Sequence, residues 1–198
     1  MNAIVYPKTL IQAVRYFSDP KVTHEFFTNL RWGSGVACPH CGSTRVHFLP
    51  NQLHWKCGER HRKRQFSVRT GTVIEKTRLG LDKWAVAVWL DVNAKNPISS
   101  YQLHRAIGIT QKSAWFMLHR IGLAVQAGSI CRPPMEDRTD GEFRWWNAPE
   151  HRQQALLQVD NPGAAFWKLK HFMRQILAVP KKKIDRKLAR ERAKKRKK

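Results

Sequence analysis

Cys38, Cys41, Cys57 and His61 are spaced C-x2-C-x15-C-x3-H, and this pattern constrains the chain more than any other. Structural zinc takes four ligands in a tetrahedron, with thiolate sulfur at about 2.3 Å and imidazole nitrogen at about 2.0–2.1 Å. Two ligands close together on a tight turn reach one metal easily. A hairpin between two such turns brings both pairs face to face, which makes a zinc ribbon. The metal then supplies the stability that so short a segment cannot obtain from a core of its own. Gly42 and Gly58, each directly after a cysteine, suit the two turns.

Four residues compete for the fourth position. His40 sits inside the first turn beside Cys41. His54 lies on the run LHWKC, where side chains alternate, so Leu53, Trp55 and Cys57 share one face and His54 and Lys56 take the other. Cys131 is far along the chain, beyond a helical region. His61 alone stands across the turn from Cys57 and is the expected ligand, with Cys131, water or a second chain as the alternative. Four protein ligands leave no open position, so the site is expected to be structural, holding one Zn²⁺.

Charge narrows the partner. The 198 residues carry 37 Lys and Arg against 14 Asp and Glu, a formal net charge of +23. A surface this positive attracts polyanions, and nucleic acid is the expected one, ahead of an anionic membrane; the helical pattern below narrows it to double-stranded DNA. No apolar run suits a membrane span, and the N-terminus lacks a secretory pattern. The chain is expected in the cytoplasm, associated with the nucleoid, and a homodimer is open. Arg60, Arg62, Lys63 and Arg64 surround the metal loop and suit a phosphate backbone. The tail 181–198 holds twelve Lys or Arg against two acids. It reads as a solvated helix or an arm that orders on phosphate, with Lys181, Lys182 and Lys183 as contacts.

The remaining pattern is mostly helical. Residues 8–31 read as two helices separated by Asp19-Pro20, with Leu10, Ile11, Val14 and Phe17 as one apolar stripe and Phe26, Phe27 and Leu30 as another. Within 81–127, Leu81, Trp84, Ala85, Val88 and Val92 mark a helix ended by Asn96-Pro97. A short helix follows, capped by Ser99 or Ser100 and carrying Leu103 and Ile107. Gly108, Ile109 and the cap Thr110 then lead into a longer helix. Helix, glycine turn and capped helix form the helix-turn-helix layout. Ile107, Ile109, Ala114, Met117 and Ile121 form its inward set. Gln111, Lys112, Ser113 and Trp115 lie near the exposed start of the second helix, where Gln and Lys can read bases. His119 and Arg120 come later and are expected at the DNA backbone. His104 falls where such motifs carry a small residue. A last helix near 163–178 has Phe166, Leu169, Met173 and Ile176 on one face.

The blocks PKTLIQAVRYFSDP, CPHCGS, HWKCGERHRKRQFSVRTGTVIE, LDKWAVAVWL and KNPISSYQLHRAIGITQKSAWFMLHRI occur in order. Together they resemble the N-terminal part of insertion-sequence transposases of the fifteen-ninety-five family, over about residues 7–126. The resemblance implies a transposase zinc ribbon, a helix-turn-helix and binding to transposon-end DNA. One branch of that family has C-x3-H in the second knuckle, which supports Cys57 and His61 as a pair. In the family a DDE catalytic domain of RNase H fold follows. Here 71 residues follow Ala127, and AGSICRPPMEDRTDGEFRWW has no strand bearing a catalytic Asp. The expectation is therefore a truncated, non-catalytic DNA-binding protein. The alternatives are an active transposase using Asp137, Asp140 and Glu142, or a basic zinc protein that binds RNA.

The expected fold is α+β, mostly α. It divides into N-terminal helices (1–35), zinc ribbon (36–78), helix-turn-helix (79–127), mixed linker and helix (128–180) and basic tail (181–198).

Overall fold

The computed structural model describes residues 7–33, 35–94, 97–128 and 164–196. Asp19 and Pro20 separate two helices, α1 (Leu10–Phe17) and α2 (Pro20–Trp32). The Asp19 carboxylate accepts from the Lys21 N–H at 2.8 Å, and Pro20, with no N–H to lose, takes the first helical position. Phe26, Phe27 and Leu30 are buried, as their spacing predicts. The α1 stripe is different. Ala13 and Phe17 face the core, while Leu10, Ile11 and Val14 are 38%, 66% and 46% exposed. Ala13 and Phe17 are four residues apart on one face. The small Ala13 lets α1 approach its neighbours closely on that side, which turns the larger aliphatics outward.

Three short strands follow: β1 (Val46–Leu49), β2 (His54–Cys57) and β3 (Gln65–Phe66). They form one antiparallel sheet in the order β1-β2-β3, with Val46 opposite Cys57, Leu49 opposite His54 and Trp55 opposite Phe66. The alternation expected of β2 holds, with Trp55 and Cys57 buried and Lys56 exposed.

α3 (Leu81–Asn93) is buried on almost every side, from Trp84 through Trp89 and again at Asp91 and Val92. A helix apolar all round belongs in the centre of a core, and α3 packs on α1, on α2, on the helix that follows it and on the helix that begins at Ala164. It stops at Asn93, with Ala94 already extended, short of the expected Asn96-Pro97.

α4 (Ser100–Ile107) starts with a Ser99–Gln102 capping box and ends at Gly108. Gly108 takes φ 62°, ψ 48°, a left-handed conformation that favours glycine, and its N–H donates to the His104 carbonyl. α5 (Gln111–Gly128) begins after Thr110, whose hydroxyl accepts from the Ser113 N–H at 3.2 Å. Ile107, Ala114, Met117 and Ile121 are buried, and Ile109 is half-buried. His104 has a specific role in this turn: its Nδ1 donates to the Ile109 carbonyl at 2.6 Å. A polar residue where a small one was expected thus fastens the turn instead of loosening it.

α6 (Ala164–Ala178) buries Phe166, Leu169, Met173 and Ile176 against α2, α3 and α5. The Asn93 amide ties α3 to α6 through the Ala165 carbonyl. α7 (Lys181–Arg196) covers most of the basic tail and packs on α5. A single cluster of buried side chains runs from Ala13 through Cys57 and Trp84 to Ile184. The fold is α+β and mostly helical. Residues 129–163, with Cys131, Glu136, Asp137, Asp140 and Glu142, lie outside the described residues.

Candidate metal centre and nucleic-acid interface

The β1–β2 hairpin and the loops at its open end set the metal site. Cys38 and Cys41 occupy a turn closed by the Gly42 N–H on the Cys38 carbonyl at 2.8 Å and the Cys38 N–H on the Ser43 carbonyl at 2.9 Å. Cys57 ends β2, and its N–H donates to the Arg64 carbonyl at 2.8 Å. Gly58 sits against the other arm, where a Cβ would lie 3.1 Å from the Arg45 carbonyl oxygen. The chain is thereby turned so that His61 faces the cysteines.

The ligand atoms of Cys38, Cys41, Cys57 and His61 all lie within 4.8 Å of one another. Cys38 Sγ is 3.5 Å from His61 Nε2, and Cys41 Sγ is 3.6 Å from Cys57 Sγ. Tetrahedral zinc with ordinary bond lengths requires about 3.8 Å between sulfurs and about 3.5 Å between sulfur and nitrogen. The four residues fit one structural zinc ion. Cys38 and Cys57 are buried, whereas Cys41 is exposed. Burial opposes ionisation of Cys38, but hydrogen bonds from the His40 and Cys41 backbone N–H groups and from the Cys41 and Cys57 thiols together hold the thiol below its ordinary range. Burial pushes the Cys57 thiol up.

Among the described residues this is the one group of three or more His, Cys, Asp or Glu with metal-ligand geometry. His54 is turned away, its Nδ1 bonded to the Gln52 carbonyl. The ring of His40 lies 5.8 Å from that of His61, outside the ligand set.

The inner face of the ribbon is an aromatic wall. Trp55 stacks on His24 of α2 at 4.8 Å between ring centres and on Phe66 at 5.9 Å, with the edge of Trp32 at 5.1 Å. Arg31, at the end of α2, donates to the Val68 and Thr70 carbonyls at 2.7 and 2.6 Å. Burial lowers the Arg31 pKa to about 10, so it remains charged at neutral pH. α2 is therefore built into the ribbon module.

Comparison with known proteins fits this geometry. Residues 21–62, from the start of α2 to just past His61, match the transposase zinc-ribbon domain. The ribbon is of the transposase type. The chain is also 28% identical over 131 residues to an uncharacterized protein in transposable element ISH50 of Halobacterium salinarum. That match covers 62% of this chain and 40% of the relative, so the chain spans less than half of that protein's length. No solved structure matches. The similarity to transposable-element proteins thus rests on the ribbon segment and on this partial match.

The charged residues around the transposase-type ribbon separate into two groups. Arg60, Arg62, Lys63 and Arg64 are exposed, and Arg64 also reaches back to the Cys57 carbonyl at 3.3 Å. Arg62, Lys63 and Arg64 line an open groove of about 510 Å³ together with His40, Lys56, His61 and Thr70. Lys56 was not singled out from the sequence. Its alternation with Trp55 and Cys57 already put it on the outer face. Glu75 is the acid in that groove, and its carboxylate is engaged by the Gly71 N–H at 3.0 Å and by Lys181 at 3.7 Å.

On α5, Lys112 and Trp115 are exposed. Gln111 is half-buried and donates to the Ser100 hydroxyl at 3.0 Å, and the Ser113 hydroxyl is paired with Thr110. His119 is half-buried, stacked on Trp115 at 4.8 Å and donating to Glu191 at 2.9 Å.

Arg120 is not a backbone-facing residue. It is 6% exposed, and its guanidinium donates to the Val73 and Glu75 carbonyls. Burial lowers its pKa, with Asp185 and Glu75 countering. Arg120 lies on the same α5 face as Met117 and Ala124, at i−3 and i+4, and that face is the core seam. Lys181 is likewise committed, through Glu75, Asp185 and its own N–H on the Gly71 carbonyl. Lys182 and Lys183 are exposed. Among the described residues no helix is long and apolar enough to cross a membrane.

Proposed function

We propose that this chain is a DNA-binding protein of the transposase-related kind. The ribbon grips the phosphate backbone, and the N-terminal end of α5 enters the major groove as the second helix of a helix-turn-helix. The observation that carries this reading is the exposed basic groove of Lys56, Arg62, Lys63 and Arg64 beside a rigid zinc site. A metal-fixed loop presents its cationic side chains to phosphate with little loss of backbone freedom. Lys112 and Trp115, exposed at the start of α5, are placed to meet base edges.

In this reading the role of the chain is DNA binding. Joining or nicking by a DDE mechanism needs carboxylates brought together around metal ions, whereas the ribbon cluster is three thiols and an imidazole and serves as a structural site. Transposon terminal repeats are the expected target.

Selection from a random duplex library, with zinc-loaded protein at physiological salt, tests the reading. A recovered motif that disappears on Lys112→Ala supports it. Binding to RNA in preference to every duplex, or strand joining in Mg²⁺ by the purified chain, would overturn it.

A further inference from the structure

The basic C-terminal helix is not a loose appendage. Ile184 is 1% exposed, Leu188 is half-buried in the core, and Glu191 meets His119. These three positions, spaced i, i+4 and i+7, form one face of α7, and that face lies on α5. At its start the helix is pinned by the Lys181 N–H on the Gly71 carbonyl at 2.9 Å and by the Lys181–Glu75 pair at 3.7 Å. The segment 181–198 has two acids among twelve basic residues, and both serve this docking. Asp185 pairs with Lys181 at 3.7 Å and lies near enough to Arg120 to oppose the fall in its pKa. Glu191 holds His119.

The docking determines where the positive charge goes. Arg190 and Arg192 stand one residue to either side of Glu191, and both are exposed. They flank the seam with α5 at the point where His119 stacks on the exposed Trp115. Trp115 is in turn one turn from Lys112 on the same helix, so the arginines of α7 lie beside the surface that α5 offers to a duplex.

We infer that α5 and docked α7 form one two-helix surface for duplex DNA. In it Arg190 and Arg192 hold the phosphates bordering the groove that α5 enters. The inference rests on the DNA-binding reading above and deepens it: α7 is a fixed phosphate clamp, whereas a free arm of the same charge would act wherever it reached. A fixed clamp sets the register of α5 on the duplex, because phosphate contacts position and base contacts specify.

The test uses the full zinc-loaded chain and a duplex recovered by selection, with affinity measured across a salt series. The variant I184S/L188S keeps every charge but removes the apolar anchors of α7. Its log–log salt slope is expected to fall by about 2, since each lost phosphate contact removes about 0.9. R190Q/R192Q, at two exposed positions, is expected to give the same fall with zinc content and melting unchanged. Should I184S/L188S lose zinc or unfold, R190Q/R192Q decides alone. A wild-type slope in R190Q/R192Q, or an undocked variant binding as tightly as wild type or more tightly, overturns the fixed clamp. A wild-type chain with no salt-dependent duplex binding takes down the DNA-binding reading as well, so the two failures are told apart.

Discussion

The Arg120 guanidinium donates to the Glu75 carbonyl oxygen at 3.0 Å and also to that of Val73. Its ring neighbour is Phe116, 4.6 Å below the guanidinium carbon. One side chain of α5 thus closes the end of the loop that leaves the ribbon, and its positive charge does structural work inside the protein.

Arg120→Met keeps the apolar stem but leaves two carbonyls without their donor. A loss of roughly 2–3 kcal/mol is expected in urea unfolding, with the preferred DNA sequence unchanged among folded molecules. A variant of normal stability with altered base preference would return Arg120 to the interface.

Lys112→Ala and Gln111→Ala are expected to separate. Lys112 is exposed and Gln111 is committed to Ser100. Loss of Lys112 should weaken binding to a selected duplex about tenfold or more, within the usual 1–3 kcal/mol for one base or phosphate contact. Loss of Gln111 should act mainly through stability at the α4–α5 turn. Fluorescence anisotropy beside thermal melts distinguishes the two effects.

For the metal, His61→Cys is expected to keep one zinc per chain, and His61→Ala to lose it or hold it weakly, read by metal analysis after dialysis. Chelation of the wild type should disturb Trp55, because Cys57 lies two residues beyond it on the same strand face. Tryptophan emission should shift while most helical circular dichroism remains. Full zinc retention in His61→Ala would point to another ligand.

His24 gives a pH signature. Burial lowers its pKa below 6.5, opposed by the Leu53 carbonyl and aided by His54, and its Nε2 has no hydrogen-bond partner among the described residues. The unfolded chain therefore takes up the proton first. Stability contributed by neutral His24 is complete above about pH 6.5 and is lost as pH falls below it towards the folded pKa. Zinc release also destabilises the chain in acid, so the comparison must be with His24→Phe, which keeps the stack on Trp55. The stability difference between the two proteins should shift against the wild type between pH 7.5 and about 5.5. A constant difference would mean that His24 does not titrate on unfolding.

Much of this was legible in the sequence because local chemistry decided it. Asp19-Pro20, a serine cap at 99 or 100, Gly108 and the C-x2-C-x15-C-x3-H spacing act through neighbours a few residues away, and each took its expected place; the structure chose Ser99 and added Gln102 to the cap. Periodicity also found the buried faces of α2, α5 and α6. It missed where several faces competed. α1 has apolar residues on two sides, and only packing on α3 shows that Ala13 and Phe17 win over Leu10, Ile11 and Val14. Charge was the least legible feature. Arg31, Arg120 and Lys181 look like surface cations in a +23 chain, yet each caps carbonyls or pairs with an acid contributed from far along the sequence. Nothing near them in the chain announces those partners.

The bond from the Lys181 N–H to the Gly71 carbonyl has a consequence for how the molecule is made. During synthesis the ribbon leaves the ribosome early and can take its zinc at once. The groove beside it stays unfinished until α7 arrives to neutralise Glu75 and cover α5. Domains generally fold as units, N-terminal ones first, but here a helix made more than a hundred residues later completes what the ribbon began. A ribosome stalled before that helix would display a metal-loaded ribbon above an open apolar seam on α5, and such a nascent chain is expected to recruit chaperones until translation resumes.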